Sequence, residues 1–171
     1  MTMDPMRRSE RAVQTPADMA TIIRAVNICR VGFVADGEPY VLPMSFGWEP
    51  LTEADGGRYW FHSATAGRKV GLLADEPRVC VQLESDVGLV THPEKACAWT
   101  LAYRSVMAWG TARTARNHDE SRHGLDVLMR HHAGRDGWSY PDKMLDHTLV
   151  WSVTVDRWTA KEHRAKDDPD A

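Results

Sequence analysis

Tyr59-Trp60-Phe61-His62-Ser63-Ala64-Thr65-Ala66-Gly67-Arg68-Lys69-Val70-Gly71-Leu72-Leu73 is the stretch on which the reading of this chain turns. Its first three residues are bulky and aromatic, as a strand favours. His62-Ser63-Ala64 leads into a turn of small residues, and Gly67-Arg68-Lys69 opens a short helix. Amides in the first turn of a helix have no intrahelical acceptor, and the helix dipole adds partial positive charge there. The hydroxyls of Ser63 and Thr65, a glycine that permits close approach, and two cations complete a set suited to a phosphate. The same residues also suit an ordinary strand-to-helix turn with solvated basic side chains.

Outward from that stretch, the 171 residues suit one domain with a substantial core. Arg7, Arg8 and Arg11 are followed by no apolar segment, so no secretory signal is expected, and no apolar run is long enough to cross a bilayer. The net charge is −3 with scattered basic residues, which argues against nucleic-acid binding. Cys29, Cys80 and Cys97 are odd in number and lack ligand spacing, so they read as reduced thiols of a cytoplasmic protein. His131 and His132 are adjacent, and adjacent residues project about 100° apart on a helix. With His118 and His123 they read as a polar helix end, and no metal site is expected.

Residues 1–14 form a polar arm expected to pack late or against a partner subunit. The domain proper spans 15–160, and a charged tail from Lys161 to Ala171 is expected to be disordered. Thr15-Pro16-Ala17-Asp18 is a helix start, and Met19, Ile22, Ile23 and Val26 recur at helical spacing. Strands are expected at 29–35 and 38–48, joined by an Asp36-Gly37 turn, and then at 59–61, 78–84, 99–114 and 149–159. Residues 85–98 read as loop because of Gly88 and Pro93. Helices are expected at 119–132 and, briefly, 141–147. Pro43 marks an edge or a place where pairing stops, leaving Met44-Ser45-Phe46-Gly47 with backbone groups for a ligand or merely for a bulge. Six long antiparallel strands with few helices suggest a mainly β fold closed as a barrel.

The order MRRSER (6–11), GEPYVLPMSFGW (37–48), YWFHSATAGRKVGLL (59–73), RVCVQLE (78–84) and YRSVMAWGTA (103–112) resembles the pyridoxamine 5′-phosphate oxidase-like FMN-binding split barrels. Within them it is most similar to the 5-nitroimidazole-resistance (Nim) subgroup. The resemblance implies a six-stranded antiparallel split β-barrel and a homodimer with FMN at two subunit-interface sites. It places Arg68 and Lys69, in the turn with Gly67, on the FMN phosphate, and Ser63 and Ala64 beside the ribityl chain. Pro43, Met44, Ser45 and Phe46 would lie along the isoalloxazine edge. Tyr103, Arg104 and Ser105 belong to a strand that contributes to the flavin site near the dimer interface.

In the Nim subgroup the histidine matching His62 sits by the flavin and meets the substrate. The implied activity is therefore reduction of small nitroaromatic or quinone-like acceptors by hydride transfer from flavin N5, with His62 as the catalytic proton donor. NAD(P)H is a candidate electron donor, although the chain carries no dinucleotide fingerprint. The pyridoxal phosphate-binding arginine and histidine of the true oxidases have no counterpart in DRWTAKEH (156–163), which disfavours vitamin B6 oxidation. The alternative is a non-catalytic flavin- or haem-binding protein on the same fold.

Overall fold

A computed structural model of the chain describes residues 6–52, 56–75 and 77–164. One antiparallel sheet holds seven strands: β1 (Ile28–Ala35), β2 (Glu38–Ser45), β3 (Gly47–Glu49), β4 (Arg58–Ser63), β5 (Arg78–Val90), β6 (Thr100–Thr114) and β7 (Leu149–His163). Their order across the sheet is β2-β1-β5-β6-β7-β4-β3. Four helices accompany it: α1 (Pro16–Arg24), α2 (Arg68–Leu73), α3 (His118–Ala133) and α4 (Asp142–Leu145).

The strand count corrects the expected six, because the segment 38–48 is two strands. β2 ends at Ser45 and β3 begins at Gly47, yet the two lie at opposite edges of the sheet. Only Phe46 separates them. Two Cα–Cα steps span at most about 7.6 Å, so the sheet must curl until its edges meet at that residue. The ladder itself stays open, since hydrogen-bonded neighbours run from β2 to β3 without a closing pair.

The expected hairpin at Asp36-Gly37 forms. Both residues have positive φ (56° and 80°) and Ala35 pairs with Glu38, the two-residue turn whose twist matches the strands. That closing pair fixes the alternation beyond it. Cys29–Met44, Val31–Leu42 and Phe33–Tyr40 exchange hydrogen bonds, while Pro39, Val41, Pro43 and Ser45 turn their backbone groups to the open edge. Pro39 and Pro43 therefore stand where a missing N–H disturbs no ladder. Edge placement of Pro43 agrees with the sequence, but pairing does not stop there, and Met44 is bonded to β1. Within β2, Ser45 of the expected free segment 44–47 faces outward, as does Pro43 before it.

The interior face gathers Val31, Phe33, Tyr59, Phe61, Val81, Leu83, Val106, Trp151 and Val153, with Met19, Ile22 and Ile23 of α1 inserted among them. Thr15 caps α1 by accepting from the Asp18 amide, and Pro16 occupies its first position. The opposite face carries a smaller cluster in which α3 lies over Trp60 and Val150 through Leu125, Val127 and Leu128. Alternation along β4 thus sends Tyr59 and Phe61 inward, and Trp60 and His62 towards the α3 face.

Several boundaries differ from the expected ones. β5 continues to Val90 through an irregularity between Ser85 and Gly88, where Asp86 takes φ 53°. The segment read as loop is therefore half strand, and it carries an arm with Val87, Leu89, Trp99 and Leu101 exposed. β7 runs on to His163, so Lys161–His163 are sheet. Within the arm Ser9–Arg11 form a 3-10 turn, and the Val13 amide donates to the Ala160 carbonyl. Residues 1–5 of the expected arm and 165–171 of the expected tail lie outside the described residues.

Gly47 and Gly124 let α3 approach the sheet. A Cβ on Gly47 would sit 2.5 Å from the Leu128 backbone nitrogen, and one on Gly124 would sit 2.4 Å from the Trp60 ring. Gly47→Ala has only backbone to push against, so it should lower stability by about 1–3 kcal/mol. Urea denaturation followed by tryptophan fluorescence measures this; an unchanged midpoint would show that α3 does not pack on β3 as described.

Candidate functional site

The end of β4, the start of α2 and the end of α3 converge beside the bend at Phe46. Phe46 is fully buried, with its ring 5.5 Å from Tyr59 and 4.7 Å from His131. Its side chain belongs to the core, so only its backbone could meet a ligand. Around this bend lie His62 and Ser63 from β4, Lys69 from α2, Met44 from β2, and His131 and His132 from α3.

Gly67 precedes α2 with φ 120°, a conformation that favours glycine, and open space lies where its Cβ would be. The Val70 amide donates to the Gly67 carbonyl. With only six residues, α2 adds little dipole, so the side chains must carry the charge. Lys69 is partly buried, and its Nζ lies 3.7 Å from the Met44 sulfur. A thioether is a weak acceptor, and among the described residues no carboxylate faces this ammonium. Desolvation holds the Lys69 pKa below its ordinary value.

Arg68 turns the other way. Its guanidinium stacks 4.8 Å over the Tyr40 ring and stands 4.0 Å from Asp36, and the side chain remains 53% exposed. It is thus held at the β1–β2 hairpin yet free to meet an anion. Ser63 donates its hydroxyl to the Ala64 carbonyl at 3.1 Å, and Ala64 is exposed.

His62 faces solvent on the α3 side of β4 and is still crowded enough for desolvation to depress its pKa; the charges of Lys69 and His132 push in the same direction. His131 is depressed as well, first by desolvation, although the hydrogen bond it donates to the Val26 carbonyl (2.7 Å) opposes this. The result is a shelf of one partly buried ammonium and neighbouring imidazoles with no carboxylate facing them among the described residues. Such a donor set suits a phosphate monoester next to an acceptor that gains negative charge.

Tyr103, Arg104 and Ser105 do not join this shelf within one chain. His62 is level with Val150 of β7, whereas Tyr103 is level with His163. Thirteen residues of β7 separate these levels (163 − 150), roughly 40 Å along a strand. Arg104 is moreover ion-paired to Glu162 (2.9 Å) and Asp86 (3.7 Å). With Tyr103 and His163 it lines a cavity of about 280 Å³ at that far end. Among the described residues no group of His, Cys, Asp and Glu could hold a metal ion.

The sequence missed the part that α3 plays. Reading His131 and His132 as a polar helix end suits His132, which is exposed, but overlooked that the helix delivers His131 to the Phe46 ring and the Val26 carbonyl. Some 70 residues separate β4 from that turn, and no local spacing reports the distance.

Fold and shelf together define a class: a curled antiparallel β protein with a partly buried ammonium where the sheet's edges meet. A family model described as pyridoxamine 5′-phosphate oxidase matches residues 15–162, and the chain belongs to that family. Among solved structures it is similar to a protein of Bacteroides thetaiotaomicron VPI-5482 described as a candidate 5-nitroimidazole antibiotic resistance protein. Identity there is 31%, coverage 88% of this chain and 85% of that one, and the TM-score 0.73. A FAD- and heme-binding protein of Mycobacterium smegmatis shares the fold at 21% identity and TM-score 0.75, with 92% and 78% of the two chains covered. The flavocytochrome Anf3 of Azotobacter vinelandii does so at 23% and 0.70, with 93% and 72% covered. No curated protein sequence matches the chain. No helix among the described residues is long and apolar enough to cross a membrane.

The depressed imidazoles fix a sign for pH dependence. Their folded pKa values lie below the unfolded value of 6.5, so the unfolded chain binds protons first as pH falls. Stability is therefore full above pH ~6.5 and declines below it. Thermal melts between pH 8 and 5.5 should show the decline, with a shallower slope for His131→Gln. A further loss belongs to Glu120, which Arg113 holds at a pKa of about 2 against an ordinary 4.5. Glu120→Gln should cost about 1–3 kcal/mol at neutral pH, and the variant's stability should vary less between pH 4.5 and 2.

Proposed function

We propose that the protein is an FMN-dependent oxidoreductase that reduces small nitroaromatic or quinone-like acceptors. The observation that carries this reading is Lys69: a partly buried ammonium, turned to a thioether, with no carboxylate partner among the described residues. Burying such a charge is unfavourable unless something anionic completes the arrangement. The FMN phosphate supplies that anion, with Arg68 swinging from Tyr40 to share it and Gly67 leaving room beside it. Ser63 and Ala64 would border the ribityl chain, and the outward backbone of Pro43 and Ser45 would meet the ring's polar rim.

A bound flavin would contribute two-electron chemistry, and a reduced nicotinamide is a suitable donor. The chain's own task is then to hold the acceptor and manage a proton. His62 stands beside the phosphate-binding lysine, is held below its ordinary pKa by desolvation first and then by neighbouring charge, and can hydrogen-bond an oxygen of the acceptor. The likeness to the Bacteroides protein supports a nitroimidazole as the first acceptor to try.

The site is completed by a second copy. Tyr103, Arg104 and Ser105 reach a flavin only from another subunit, given their separation from His62 along β7. Apolar surface supports such a dimer. On the outer sheet face Ile28, Val34 and Val41 are exposed, Val34 by 69%, and the β5–β6 arm exposes Leu89 by 61%. Patches of this kind mark association surfaces. The three thiols, unpaired in the structure, suit a reducing compartment such as the cytoplasm.

Purified protein should show two flavin absorbance bands and release FMN on heating, and a Soret band would instead favour the haem-binding alternative. The double change Arg68→Ala and Lys69→Ala should weaken FMN binding at least tenfold. His62→Ala should keep FMN and lose acceptor reduction; full turnover in that variant removes His62 from catalysis. Val41→Asp with Leu89→Asp should yield monomers that bind FMN poorly. Stoichiometric FMN on a sedimenting monomer would overturn the shared site.

A further inference from the structure

The geometry points to Tyr40 and Asp36 as positioning residues of this site: they hold Arg68 on a seat of its own, from which a phosphate monoester bound at Lys69 must draw it. The hairpin thereby competes with the ligand for one guanidinium. This inference rests on the reading of the shelf given above, and it adds two residues that the flavin assignment does not use.

Arg68 and Lys69 are consecutive, yet β2 receives them at different points. The Lys69 Nζ lies 3.7 Å from the Met44 sulfur, and the Arg68 guanidinium lies 4.8 Å over the Tyr40 ring. Tyr40 and Met44 both turn inward from β2, four residues and about 13 Å apart along the strand. The Tyr40 ring is a fixed platform. It sits across from Phe33, with ring centroids 6.3 Å apart, and buried Phe33 in turn lies 6.1 Å from the Trp151 ring. Asp36, in the turn, stands 4.0 Å from the same guanidinium.

The seat is weak enough to be left. The Asp36 side chain is 97% exposed and that of Arg68 is half exposed, and water screens an ion pair placed like this. Stacking of a cation on a ring is also worth least where solvent reaches it. A phosphate monoester carries about two negative charges near neutral pH, against one on Asp36. Its oxygens match the planar fork of an arginine, which a carboxylate 4.0 Å away does not engage. Open space where a Gly67 Cβ would lie gives the turning side chain room.

The consequence concerns one half of the ligand. Lys69 is held in place and partly buried, whereas Arg68 exchanges one anion for another. When the phosphate leaves, Asp36 and Tyr40 take the guanidinium back, so release does not strand a second cation beside Lys69. The hairpin therefore moderates how tightly a phosphate is held. A flavin that lacks the phosphate leaves Arg68 seated and is indifferent to Asp36.

The test is titration of full-length protein, stripped of any flavin, with FMN and with riboflavin, which has no phosphate. Asp36 has φ 56°, and Asn-Gly is favoured in this turn, so Asp36→Asn removes the charge and keeps the hairpin. It should tighten FMN binding about two- to fivefold and leave riboflavin unchanged. Tyr40→Leu should act in the same direction, while Tyr40→Phe, which keeps the ring, should match the parent. In an Arg68→Ala background Asp36→Asn should have no effect, since the interaction it removes is already gone. FMN affinity unchanged or weakened by Asp36→Asn, a gain shared equally by riboflavin, or a gain that persists without Arg68 overturns the proposal. Failure of the flavin reading looks different: neither flavin binds the parent. Inorganic phosphate then decides, because it should shift the Arg68 Nε–H NMR signal at lower concentration in Asp36→Asn than in the parent. An Arg68 signal indifferent to phosphate, or equally sensitive in both, overturns the proposal there.

Discussion

The two edges of the sheet are one continuous piece of chain, interrupted only at Phe46. That covalent constraint shapes everything near the site. Because β2 and β3 cannot separate, the sheet has to curl, and its interior face becomes a closed core into which α1 fits. Phe46 is buried at the junction, where a bend would otherwise leave a void. Gly47 beside it allows α3 to lie close, and α3 in turn brings His131 onto the Phe46 ring. Met44, the last inward residue of β2, becomes the floor against which Lys69 rests. The shelf exists because a sheet edge was forced to turn there.

Charge is distributed unevenly over the molecule. Arg78 is paired with Asp156, Arg113 with Glu120, Arg104 with Glu162 and Arg30 with Glu84. The more exposed of these, Arg78–Asp156 and Arg30–Glu84, contribute little to stability, typically under about 1 kcal/mol each. Their meaning here is that acids lie within reach of the basic residues along β5–β6–β7, while Lys69 and His62 have none among the described residues. A cationic group left without a counter-charge lowers the stability of the fold. Its retention at one place, among residues contributed by three elements, is better explained by a ligand than by folding.

Much of the fold was legible because its signals are local. Thr15-Pro16 at the start of α1 and Asp36-Gly37 at the hairpin need only their own backbone preferences. The aromatic and β-branched runs of β4, β6 and β7 declare themselves in the same way. What was not legible depends on partners distant in sequence. Residues 85–90 look like loop because of Gly88, yet β6 supplies a strand opposite, and the irregularity at Asp86 absorbs the misfit. Nothing in 38–48 shows that its two halves pair at opposite edges, since Phe46 is an ordinary strand residue by propensity. Ser63, Gly67, Arg68 and Lys69 could be read from one short stretch. The approach of His131 to Phe46 is a property of the packed helix alone.

The sheet order also divides the molecule unevenly. β2, β1, β5 and β6 form one half and β4 with β3 the other, and β7 lies between them as their only hydrogen-bonded link. β7 follows both halves in the chain, so it is synthesised after every strand it joins. Each exposes an edge that β7 will later cover, one along β6 and one along β4. Pairings this distant in sequence fold slowly, because loop entropy is lost before contacts repay it. The stacking of Trp151 on Phe61, with ring centroids 4.2 Å apart, forms only when β7 docks on β4. The burial of that one tryptophan therefore reports the docking of β7 on β4, the pairing that joins the two halves of the sheet.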